Sequence, residues 1–240
     1  MTPHILLIAF AAGAAFIQRT TGFGFGIFIM TMLPYLMPSL GEATALSGLL
    51  AAVTSLAIAI QYRQLILWRK LWPILLTFLA VSWGAVHCLA YIPAQALRVS
   101  LGIVLILASI YFWFFSDRVR VGHGPATAVS LGTLSGFMGG FFGMQGPPAV
   151  LYFLEVSDRK QVFAAMAQCY FLVGNLMMTL YRAQAGFLTH EVLVSWCWAL
   201  PGVLVGTLIG AWVFRFISMP LLRKIVYIYI FISGVLALFS

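Results

Sequence analysis

The chain has 240 residues, of which 63% are hydrophobic and 8% charged, and its formal net charge is +8. With a mean hydropathy of +1.06, it carries more apolar surface than a domain of this length can hide from water, so its solvent is largely lipid. The basic residues fall in short gaps between apolar runs, which argues against a nucleic-acid surface and reads as a set of topology signals.

The first apolar run, Ile5 to Ile17, has no basic residue ahead of it and no small-residue cleavage pattern, so it is not expected to be a removable signal. It leads into "FIQRTTGFGFGIF", Phe16 to Phe28, which places Gln18, Arg19, Thr20 and Thr21 ahead of glycines at 22, 24 and 26. Glycine at every second position suits neither a packed helix nor an isolated strand. It is not a dinucleotide fingerprint either, because the third glycine is wrongly spaced. Ile5–Ile17 and Phe23–Met37 are each too short to cross the ~30 Å hydrocarbon layer comfortably, whereas Ala43–Ile60, Leu71–Tyr91 and Leu97–Phe115 read as spans. A second short pair comes next, Pro125–Met138 and Pro147–Val156, separated by "GGFFGMQG". Three further runs complete the chain: Gln161–Tyr181, Val192–Phe214 and Leu221–Phe239.

The chain thus reads twice, as a short pair around a glycine-rich turn and then three spans. Gly22 matches Gly143, Tyr62-Arg63 matches Tyr181-Arg182, and Leu97-Arg98 matches Leu222-Arg223, all in the same order. If each short pair dips in and returns as a re-entrant hairpin, one face collects Arg63, Arg69, Lys70, Arg118, Arg120, Arg159, Lys160, Arg215, Arg223 and Lys224. The other face keeps Arg98 and Arg182, with Arg19 at a hairpin tip. One long broken span per pair would divide the same charges evenly, so the positive-inside rule favours hairpins with both termini outside. Three crossings per half then give the halves opposite orientations.

Backbone at a hairpin tip has no helical partner and persists in a membrane only inside protein or beside a wet cavity. Short helices starting at such turns aim free N–H groups into that cavity, a ready anion site. Glycine lets a ligand approach the backbone, and Pro147 and Pro148 start a helix without wasting donors. Glycines 132, 136, 140, 206 and 210 read instead as small residues for helix packing. Arg19 is a buried-cation candidate that either meets an anion, or snorkels or bonds to backbone carbonyls. Thr20, Thr21 and Gln145 offer donors near the turns, as does Gln18. Ser55 and Asn175, in corresponding spans, either bond a hairpin tip or bridge two helices.

The acidic residues Glu42, Asp117, Glu155, Asp158 and Glu191 all stand near segment ends, so no carboxylate relay crosses the membrane. Cys88, Cys169 and Cys197 are widely spaced in apolar runs and read as packing residues. No His/Cys/acid cluster has metal-ligand spacing and no Ser-His-Asp set is evident, so neither an enzyme nor a metal or organic cofactor is expected.

The two turns, "FIQRTTGFGFGIF" and "SGFMGGFFGMQGPP", each followed by a span and a Tyr-Arg step, resemble the signature turns of the TauE/SafE family of sulfite exporter-like permeases. The likeness covers essentially the whole chain. It implies movement of sulfur-containing anions such as sulfite, sulfoacetate or related sulfonates. It assigns Gly22, Phe23, Gly24 and Gly26 to the first motif, and Gly143, Gly146, Pro147 and Pro148 to the second. Ser55 and Asn175 fall where the family often carries small polar residues. Two positions depart from the pattern: Arg19 replaces a common glycine or small residue, and Gln145 a frequent glycine.

The expectation is therefore an all-α polytopic membrane protein of two inverted repeats, residues 1–118 and 119–240, each a glycine-rich re-entrant or broken-helix hairpin plus three transmembrane helices. The expected function is a permease in the bacterial inner membrane that exports a small sulfur-containing anion. A permease for another solute, such as a carboxylate, and a non-transporting assembly scaffold are the alternatives. Expected partners are the anion and the bilayer, with a second copy of the chain left open.

Overall fold

The computed structural model describes residues 2–30, 32–88 and 124–218, with isolated positions between 91 and 122 and between 221 and 235. The expected spans Leu97–Phe115 and Leu221–Phe239 therefore lie largely outside the described residues. Among the described residues the chain is helical and contains no strand.

Helix α1, Thr2–Thr21, is longer than its apolar core suggests. The polar stretch reads in sequence as a separator between two short segments, but the helix continues through it. The reason lies in the threonines: Thr20 Oγ1 donates to the Phe16 carbonyl and Thr21 Oγ1 to that of Ile17, each at 2.8 Å. Hydroxyls that bond back to the preceding turn need no water. The helix stops at Gly22, whose φ of 87° carries the chain out of it.

Beyond Gly22 the chain is broken into α2, Phe25–Ile29, and α3, Leu33–Leu36. Pro34 supplies the break, since its ring opposes the carbonyl four residues back and it has no N–H to give. Helix α4, Leu40–Tyr62, opens with a capping box. Ser39 Oγ accepts from the Glu42 N–H and donates to the Glu42 carboxylate. A 3₁₀ turn, Arg63–Leu65, leads to α5, Trp68–Cys88. The later described helices are α6, Pro125–Phe142; α7, Gly146–Val156; α8, Lys160–Gln184; and α9, His190–Phe214. Among the described residues, five helical segments are long and apolar enough to cross a bilayer: His4–Thr21, Leu40–Leu65, Trp68–Cys88, Lys160–Gln184 and His190–Phe214.

Both short pairs fold back on themselves. A Cβ on Gly13 would lie 2.9 Å from the Phe28 ring, and Phe28 also packs on Phe10, so the chain after Gly22 returns along α1. In the second pair, Ser135 Oγ donates to the Gln145 carbonyl ten residues later. Tyr152 OH then reaches the Lys70 carbonyl at the start of α5.

Packing exchanges partners between the halves. Helix α1 lies along α9, α6 lies along α5, and α4 and α8 pack together. Gly202, Gly206 and Gly210 sit on the backbone carbonyls of Ile8, Ala12 and Phe16. Gly132, Gly136 and Gly140 sit in the same way on those of Ile74, Phe78 and Ser82. Such contacts replace the hydrophobic effect where the surroundings are apolar. Outward, α9 shows Leu204, Leu208 and Trp212, and α5 shows Trp72, Leu76 and Trp83. Water would penalise those faces; lipid does not. Helices α4 and α8 form the buried centre.

Candidate functional site

The two glycine turns meet. A Cβ on Gly26 would lie 2.6 Å from the Gly143 carbonyl oxygen, and one on Gly146 would lie 3.1 Å from the Phe23 ring. Gly24 and Gly143 have φ of 94° and 69°, left-handed values that favour glycine, so each turn reverses without a side chain at its tightest point. Between them lies a small, part-open cavity. Its wall contains Phe23, Gly24, Gly26, Gly143, Gln145, Gly146 and Asn175, together with Gln18, Ser47, Ala51, Met144 and Phe171. No lining residue is an acid or a base.

The polar groups around it form two ordered clusters. In the first, Gln168 Nε2 donates to the Gly22 carbonyl at 2.6 Å, and Gln168 Oε1 accepts from Gln18 Nε2 at 2.8 Å. Gln18 Nε2 also donates to Ser55 Oγ at 2.8 Å. A carbonyl can only accept, so Gly22 fixes which end of Gln168 faces it, and Gln168 in turn fixes Gln18. The Gln18 Oε1 is left buried and without a partner among the described residues. In the second cluster, Gln145 Nε2 donates to Asn175 Oδ1 at 2.8 Å, which leaves the Asn175 amide donors uncommitted beside the cavity. Ser135 bridges the Gln145 carbonyl to Tyr170 OH and holds the second turn in place.

The remaining expected site residues stand just outside the lining. Gly22 contributes a carbonyl to the first cluster, and a Cβ there would meet Phe163 at 2.5 Å. Ser55 is fully buried and anchors Gln18. Thr20 and Thr21 are occupied with their own helix and with the Phe23 carbonyl. Pro147 lies in the first turn of α7, where a missing N–H costs nothing. The Arg19 guanidinium points away from the turns, donating to Gln61 Oε1 at 2.7 Å and lying over the rings of Tyr62 and Phe214. The two half-helices also differ. Helix α7 has 11 residues and presents a helix N-terminus to the cavity, whereas α2 has 5 and is too short to do so usefully.

Ser47, Gln168 and Arg182 do not stand out as site residues in the sequence, yet each is a buried polar residue on α4 or α8. Their spacing carries the signal. Ser47 and Ser55 share a face of α4, and Gln168 and Asn175 share one of α8, at intervals of about two helical turns.

The chain matches the family model described as sulfite exporter TauE/SafE over residues 5–237. The chain belongs to that family. It is a multi-pass membrane protein. It is 25% identical over 214 residues to a Cupriavidus necator protein described as a probable sulfite/organosulfonate exporter TauE, covering 88% of this chain and 84% of that one. No solved structure matches the chain.

Proposed function

We propose that the protein is an inner-membrane permease that exports a small sulfur-containing oxyanion, such as sulfite or an organosulfonate, through the cavity between the two turns. The observation that carries this reading is the chemistry of the cavity wall. It offers hydroxyl and amide donors from Ser47 and Asn175 and the N-terminus of α7, with no carboxylate to repel an anion. Neutral, fixed donors bind an anion without trapping it, as a carrier requires. The family and the Cupriavidus necator relative support the substrate class.

In this reading the halves 1–118 and 119–240 are inverted repeats with both termini periplasmic. The exchanged packing supports it, because each half's hairpin leans on the corresponding span of the other. Gly22, Gly24, Gly143 and Gln145 of the turns, together with Asn175 of α8, shape and line the binding position. Arg19 steadies the end of α1 against α4 and acts on the anion only through the local field.

The test is efflux from proteoliposomes loaded separately with sulfite, sulfoacetate, sulfate or acetate. Sulfite or sulfoacetate should leave fastest, and Ser47→Ala combined with Asn175→Leu should slow efflux by roughly tenfold or more, the scale of losing one or two ligand hydrogen bonds. Acetate leaving fastest would favour a carboxylate permease. No efflux of any anion from folded protein would favour the scaffold.

A further inference from the structure

Arg182 is completely buried near the end of α8. Its Nη2 donates to the carbonyl oxygens of Gly139 and Gly140, at 3.1 and 3.3 Å, which are among the last carbonyls of α6. Among the described residues its Nε and Nη1 have no partner, and no carboxylate faces it. Capping those carbonyls occupies one of three nitrogens. A neutral amide could do the same work without burying a charge, and an isolated cation in apolar surroundings costs several kcal/mol.

Thr179 extends the anomaly. Its Oγ1 is buried and likewise has no partner among the described residues. Thr20, Thr21, Thr44 and Thr77 bond back to the preceding turn, whereas Thr54 of α4 and Thr207 of α9 share with Thr179 a buried hydroxyl without a partner among the described residues. Asn175, Thr179 and Arg182 follow one another at i, i+4 and i+7, so they share a face of α8. Asn175 lines the cavity. At 1.5 Å rise per residue, Arg182 stands about 10 Å farther along the helix. Uncommitted donors thus run in a line from the cavity to a buried cation.

We propose that this face of α8 is one limb of the anion's route, with Arg182 as a second binding position for a small oxyanion beyond the central cavity. The inference rests on the reading of the chain as an anion permease but not on which anion it carries. Arg19 occupies the corresponding junction in the other half, where α1 and α4 end, and there the guanidinium is already engaged by Gln61.

The experiment uses the purified full chain carrying Thr179→Cys, with the parent chain, which has its own Cys88, Cys169 and Cys197, labelled in parallel as the baseline. Each is treated with a negatively charged alkyl thiosulfonate and, separately, with its positively charged counterpart. The introduced thiol should react, and the anionic reagent should react at least tenfold faster, the effect of one unit charge about 10 Å away at a protein's effective dielectric. Adding Arg182→Gln should remove that preference, while Arg182→Lys should retain it. An inert thiol in a monodisperse, helical preparation overturns the proposal, as does a thiol that reacts equally fast with both reagents. If Arg182→Gln fails to fold, the reagent preference of Thr179→Cys alone decides. Sulfite efflux by the wild type together with an inert thiol would sink the route and leave the permease reading intact. A reactive, anion-preferring thiol in a chain that exports neither sulfite nor sulfonates would do the reverse.

Discussion

Gln168 shows how much one side chain can determine in a dry interior. Its amide donates to the Gly22 carbonyl and its oxygen receives Gln18, so a backbone atom at the hairpin tip sets the orientation of a residue in the cavity wall. Gln168→Leu leaves the Gly22 oxygen and a Gln18 N–H unmet. It should lower unfolding stability by about 2 kcal/mol, the penalty for stranding buried polar groups, as read from denaturant titration in detergent. Gln168→Glu tests the direction of the bond. A carboxylate can still accept from Gln18 but sets an oxygen against the Gly22 oxygen, so it should destabilise at least as much. Full stability in Gln168→Glu at a pH where the carboxyl is ionised, and so cannot donate, would mean that the Gly22 contact contributes nothing.

Helices in this chain are held by backbone-to-backbone approach as much as by side chains. A Cβ on Gly206 would lie 2.0 Å from the Ala12 carbonyl oxygen, so Gly206→Ala must push α1 off α9. It should cost about 1–3 kcal/mol, as overpacked cores do, and lower the yield of monodisperse protein. Gly84→Ala meets no atom within 4 Å and should be neutral or slightly stabilising through helix propensity. The order of elements, the turn glycines and these packing glycines are all legible in the sequence, because apolar run length and glycine spacing are local signals. The length of α1 is not, since Arg19 and the two threonines look like a break until their partners are known. Arg182 reads as a loop charge because it follows the end of an apolar run, and only the approach of α6 buries it. Ser47 and Gln168 have the right periodicity, but which neighbours they meet depends on how the hairpins lean.

At the scale of the whole molecule, the asymmetry of basic residues yields a prediction of sidedness. Labelling at Thr2 and Ser240 should report both ends on the periplasmic side. A cytoplasmic location for one end alone would require a different number of crossings, and for both an inverted orientation. Sidedness in turn bears on energy. A negative cytoplasm drives an anion outward by about 2.3 kcal/mol per charge per 100 mV, so export can run on potential alone. Glu42, the one acid buried among the described residues, is committed to Ser39 and Thr189 as part of a helix cap. Efflux should therefore follow an imposed potential and ignore a pH gradient at fixed substrate ionisation. Ionophore-clamped proteoliposomes would measure both; a response to the pH gradient at zero potential would point to a coupled proton.

The exchange of partners between the halves also sets a timetable for synthesis. Helix α1 leaves the ribosome first, but the surface it packs against, α9, ends at Phe214. At ~5–20 residues per second the first hairpin waits roughly 10–40 s with its polar tip unpaired. The nascent chain must be sheltered for that interval, by insertion machinery or by staying shallow in the interface. Neither half can complete its core alone, so residues 1–118 and 119–240 expressed separately should each be degraded. Expressed together they should rescue one another, as fragments do when their contacts run across the cut.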